Sequence, residues 1–177
     1  MAGVAIGDPI AKAIEVVMGS STNFKSNAYV QELNEWRDLG YHTETEVPFL
    51  LGFDHAYTFD TPRVPIYMLF TKDDRVVLIR LSSYVTTEEE QRKIRIVDGC
   101  GLNSASVCTE LTFLDPALVR PEPMFGREVH HWLQHGVSMT VEGGTVRLID
   151  VYGDVEPDAQ AKMEVELKKP EPPGQYE

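Results

Sequence analysis

Glu128, His131 and His135 fall at i, i+3 and i+7, so a helix from about Arg127 to His135 would align a carboxylate and two imidazoles along one flank. These are metal-ligating and acid/base groups, and the spacing predicts a transition-metal or His-based catalytic site. The core stripe of such a helix would be Phe125, Val129, Trp132 and Leu133, which sets the flank at the rim of the buried face and leaves His130 pointing elsewhere. No Glu follows the first His as a zincin base, and no third His or Cys follows closely, so completion of the site would fall to Asp54, His55 or His42. A plain helix accounts for the same residues with fewer assumptions: Glu128 suits the positive end of the dipole and His135 the negative end.

Cys100 is the second candidate, a thiol on the glycine-flanked turn Asp98-Gly99-Cys100-Gly101, whose backbone amides would favour a thiolate. Tight turns need such glycines in any case. Cys108 is the other cysteine, and two cysteines make no disulfide framework. Phe53, Tyr57 and Phe59 could line a small-ligand pocket between sheet and helices, or form an aromatic core. Phosphate cradles are missing from the sequence: Gly99-x-Gly101 lacks a third glycine, and no glycine run ends in Lys-Ser or Lys-Thr. No cofactor is indicated, a transition metal at the His flank excepted.

The elements that would position these groups follow from periodicity. Asp8-Pro9 opens a helix with Ile10, Ile14, Val17 and Met18 on one side, closed by Gly19. Ser26 or Asn27 would cap a second, with Tyr29, Val30, Leu33 and Trp36 facing one way up to Leu39-Gly40. From Tyr41 the period drops to two. Phe53 to Phe59 alternates as a strand. Val64 to Phe70 and Val76 to Val85 flank an Asp73-Asp74 turn whose register would set Phe70 opposite Val77, Met68 opposite Ile79 and Ile66 opposite Leu81. Ile94 to Val97 and Val107 to Leu114 predict two further strands. After Pro116, Pro121 and Pro123 comes the short helix. Val137 to Glu142 and Thr145 to Tyr152 then form a hairpin around Gly143-Gly144, pairing Val141 with Val146 and Met139 with Leu148. Met163, Val165 and Leu167 alternate with charges as a peripheral strand, and the proline-rich residues from Lys168 onward form a loose end.

The fold class expected is α+β: two N-terminal helices on a mainly antiparallel sheet of about seven strands, with one short helix before the C-terminal hairpin. Residues 1–153 would form a single domain and 154–177 an acidic extension. At 177 residues and 42% hydrophobic content the chain can bury one sizeable core. Its 28 acidic against 16 basic residues, net −12, argue against nucleic acid and anionic membrane surfaces. Composition points to the cytoplasm, and to a non-enzymatic protein-interaction or accessory, chaperone-like protein whose partner is another protein, or a further copy of itself. A His-based or metal-dependent enzyme and a small-ligand module are the alternatives.

Overall fold

The computed structural model describes residues 3–19, 28–38, 46–59, 66–82, 118–122, 126–142, 145–153 and 155–169. In chain order these form α1 (Ile10–Gly19), β1 (Ala28–Glu32), α2 (Leu33–Asp38), α3 (Val47–Leu50), β2 (His55–Phe59), β3 (Ile66–Lys72), β4 (Arg75–Ser82), β5 (Leu118–Glu122), β6 (Arg127–Trp132), a 3-10 turn (Leu133–His135), β7 (Val137–Glu142), β8 (Thr145–Val151) and α4 (Pro157–Leu167). The α+β class holds. The described strands form one eight-stranded sheet of order β1-β2-β3-β4-β8-β7-β6-β5, every neighbouring pair antiparallel. It is two meanders, β1 to β4 and β5 to β8, fused along the β4–β8 ladder.

Helices cover both faces. On one, α1 buries Ile10, Ala13 and Val17 against Phe59, Leu69, Val76 and Ile79. This helix follows its sequence expectation, and backbone bonds tie its start to the β3–β4 hairpin: Gly7 N–H donates to Val76 O at 2.8 Å and Ile10 N–H to Asp74 O at 2.9 Å. On the other face, Val47 of α3 and Met163 and Leu167 of α4 pack with Ala56, Met68, Phe70, Leu78, Leu133 and Tyr152.

The β3–β4 hairpin turns at Asp73-Asp74 as expected, with φ of 51° and 59°, the left-handed pair that a two-residue turn requires. Its register differs. Thr71 pairs with Val76 but Phe70 pairs with Leu78, so Val77 is an extra residue on β4 and Met68 meets Arg80 rather than Ile79. The β7–β8 hairpin repeats this: Val141 pairs with Val146 as expected, then a bulge sets Met139 opposite Ile149 instead of Leu148.

Three elements depart in type. The expected second helix is a strand, β1, followed by the short α2; Tyr29 and Val30 are β-formers, and pairing with β2 outweighs their helical spacing. The expected helix 127–135 is β6, held between β5 and β7, and only Leu133–His135 winds, ending at Gly136 with φ 60°. Gly136 admits no side chain, since a Cβ there would sit 1.8 Å from the Gly153 carbonyl oxygen. The expected peripheral strand at 163–167 is the last turns of α4, where Pro157 at the helix start, Asp158 in the first turn and a run of Ala, Gln, Lys, Met and Glu favour winding. The strands expected at 94–97 and 107–114, the Gly143-Gly144 turn and the end beyond Lys169 lie outside the described residues.

In α4, Met163 and Leu167 lie one turn apart and buried while Val165 is 59% exposed. Leu167→Ala should therefore cost about 2–5 kcal/mol, and Val165→Ala less than about 0.5 kcal/mol, in urea denaturation. Equal losses would mean that the alternating pattern governs this segment after all.

Candidate functional site

Directly opposed residues of antiparallel strands share a face, so the registers define rows across the sheet. One row runs Val30, Tyr57, Leu69, Ile79, Val151, Val137, Trp132 and is apolar throughout. The row on the opposite face runs Thr58, Met68, Arg80, Asp150, Ser138, His131, Leu118. Its inner members Arg80, Asp150, Ser138 and His131 are all at most 5% exposed and are four of the nine buried polar residues among those described.

Arg80 grips Asp150 with both ends of its fork, Nε to Oδ1 at 2.7 Å and Nη2 to Oδ2 at 2.8 Å. Glu46, just ahead of α3, accepts from the same guanidinium at 3.4 Å, and the Phe70 ring lies 5.3 Å from it. Burial opposes the Arg80 charge, but the Asp150 and Glu46 carboxylates outweigh it and hold the group firmly protonated. Burial likewise lifts the Asp150 carboxyl above its ordinary range, with Arg80 pulling the other way. Both ions are out of water, so the pair has value only while it is intact.

Ser138, His131 and Tyr152 form a second unit. Tyr152 Oη donates to the Val137 carbonyl at 3.3 Å, Ser138 Oγ lies 3.1 Å from Tyr152 Oη, and His131 Nδ1 lies 2.8 Å from Ser138 Oγ. One proton order satisfies all three contacts: Nδ1–H of His131 to Ser138, the Ser138 hydroxyl to Tyr152, and the Tyr152 hydroxyl to Val137. His131 is then the Nδ1–H tautomer, with its lone pair on Nε2, a buried atom with no hydrogen-bond partner among the described residues. Burial, with Arg120 and His130 adding like charge, pushes its pKa down to about 4. Burial also raises the Tyr152 phenol, against the Ser138 hydrogen bond. In this wiring Ser138 accepts from His131, whereas a serine nucleophile must donate to its base, so the unit stabilises structure and does not activate the hydroxyl.

The residues singled out from the sequence are scattered by the strand. His131 faces the polar row, while Glu128 and His130 lie on the opposite face, 3.1 Å apart, and His135 is exposed in the 3-10 turn. The helical flank that was to unite Glu128, His131 and His135 does not form, and no cluster of three metal-ligating side chains occurs among the described residues. Asp54 caps the hairpin by accepting Asp73 N–H at 2.7 Å, and His55 is half-buried on β2. Cys100, Cys108 and His42 lie outside the described residues. Phe53 packs edge-on against Phe70, whereas Tyr57 and Phe59 belong to the cluster under α1, so the three aromatics line no common pocket. Arg80, Asp150, Ser138 and Tyr152 were missed, although an Arg in Val76–Leu81 and an Asp in Leu148–Val151, each within an otherwise apolar strand, was a legible sign of a buried pair.

The sheet has two outer strands among those described, and they differ. Leu33 N–H donates to Asp54 O at 3.1 Å, so by antiparallel alternation Gln31 and Tyr29 also bond inward to β2, and the amide and carbonyl of Ala28 and Val30 point outward. The outward Glu32 N–H is taken by the Glu35 carboxylate at 3.1 Å. Val30 is 44% exposed. On β5, by contrast, Pro121 pairs with Glu128 and offers no donor, the usual way of blunting an edge. Comparison of the chain with protein-family models, curated proteins and solved structures finds no match. No helix among the described residues is long and apolar enough to cross a membrane.

Two outcomes follow from the buried units. Asp150→Ala strands the Arg80 charge in the core and should cost about 3–5 kcal/mol, or prevent folding; a loss below about 1 kcal/mol would mean the pair is solvated. His131 is neutral when folded and titrates near 6.5 when unfolded, so its contribution is fully present above about pH 6.5 and is lost as pH falls toward 4. Folding stability should drop by roughly 3 kcal/mol over that window, a drop that His131→Gln should largely remove, and nitrogen chemical shifts should report the Nδ1–H tautomer.

Proposed function

We propose that this chain is a protein-interaction module without catalysis of its own, which takes an extended segment of another protein onto the edge of β1, an outer strand among those described. The observation that carries the reading is the outward-directed amide and carbonyl of Val30 beside its half-exposed side chain, on the outer strand that has no proline. Main-chain bonds at such an edge supply affinity, and side chains alternating above and below supply selectivity. The buried polar row fits this role as a lock on strand register rather than as a reactive centre. The strong acidity, net −12, favours a cationic partner over nucleic acid or an anionic membrane, and with two cysteines fits an accessory or chaperone-like protein of the cytoplasm.

Val30→Pro tests the reading. It removes an outward donor and no bond to β2, so the thermal midpoint should stay close to that of the parent. Eight-residue segments selected from a displayed library against the parent protein should bind the variant about ten-fold more weakly or worse, in keeping with the loss of one or two main-chain hydrogen bonds. Selected segments that bind Val30→Pro as tightly as the parent would refute the edge as the binding site.

A further inference from the structure

We infer, resting on the edge reading above, that the segment taken up by β1 runs antiparallel to it and carries a basic residue two positions before an apolar one, a Lys/Arg-x-Val/Ile order. The antiparallel choice follows the rest of the sheet and the better-aligned hydrogen bonds of that arrangement. Because Val30 directs both its N–H and its C=O outward, it exchanges both bonds with a single residue of the incoming strand. That residue sits beside the Val30 side chain and would extend the apolar row through Tyr57 and Leu69, so an aliphatic side chain there shields the exposed Val30.

Glu32 lies two residues further along β1, on the same face as Val30, and is exposed, with no ion pair among the described residues. Antiparallel pairing places opposite it the residue that comes two positions earlier in the partner. Glu35 brings a second carboxylate to the same end through its bond to Glu32 N–H. An acidic side chain at that position meets two like charges and a net −12 protein; a Lys or Arg meets its complement. Parallel addition would reverse the order, with the basic residue following the apolar one, so the order reports the direction of the added strand.

Three fluorescent peptides separate the possibilities: Thr-Lys-Thr-Val-Thr-Val-Thr, its Lys-to-Glu counterpart, and the reversed order Thr-Val-Thr-Val-Thr-Lys-Thr, titrated at low salt into the parent, Glu32→Lys and Val30→Pro proteins. The first should bind the parent about five-fold more tightly than the other two, the scale of an exposed ion pair, and Glu32→Lys should invert the preference between Lys and Glu. Equal binding of all three, abolished by Val30→Pro, would overturn the charge-order inference and leave the edge reading standing. Tightest binding by the reversed peptide would overturn the antiparallel direction. Failure of all three to bind, or binding indifferent to Val30→Pro, would overturn both.

Discussion

Arg80 and Asp150 meet across the ladder that fuses the two meanders, and the integrity of the sheet rests on that contact. Among the described residues, four pairs, Ile79–Val151 to Ser82–Leu148, join β4 to β8. A slip of one residue along this short ladder would send Asp150 to the opposite face, into the apolar row, and leave Arg80 buried without its partner. Hydrophobic contacts alone tolerate such a slip, because β4 and β8 carry aliphatic side chains on both faces. A buried bidentate pair does not, since each alternative register strands a charge in a medium that penalises it heavily. The pair therefore acts on specificity of pairing more than on net stability.

The two bulges serve the same end. Without Val77 as an extra residue, Arg80 would lie opposite Tyr67, and the face that receives α3 and α4 would be built differently. With it, Arg80, Met68 and Phe70 share a face, and the guanidinium rests against the Phe70 ring. The β7–β8 bulge likewise brings Ser138 opposite Asp150, and the regular β6–β7 ladder sets His131 opposite Ser138 in the same row. His131 Nδ1 and the Ser138 and Tyr152 hydroxyls are then hydrogen-bonded in a chain that ends on the Val137 carbonyl, while His131 Nε2 has no partner among the described residues.

The outer strands show the complementary side of this architecture. A sheet with all its inner ladders filled expresses hydrogen-bonding capacity only at its margins. One margin is blunted by Pro121. At the other, Glu35 takes the outward Glu32 amide while Val30 and Ala28 remain directed outward. The proposed interaction at β1 rests on that asymmetry.

By itself the sequence determined the α+β class, helix α1, the Asp73-Asp74 reversal and the Val141–Val146 pairing, because each depends on a local property: a cap, a periodicity, or a backbone conformation open to few residues. It was ambiguous where two periods fit the same residues. Tyr29 to Trp36, Glu128 to His135 and Met163 to Leu167 satisfy both helical and alternating patterns, and the outcome turned on neighbours: β2 for the first, β5 and β7 for the second, and the apolar cluster beneath α3 for the third. The candidate site shared that ambiguity, since Glu128, His131 and His135 are together only on a helix. Tertiary structure alone decided the register shifts within the two hairpins, and the meeting of Arg80 with Asp150 and of His131 with Ser138 across the β4–β8 and β6–β7 ladders. Such pairs join residues as much as 70 positions apart, and no local periodicity encodes which side of a distant strand they will face.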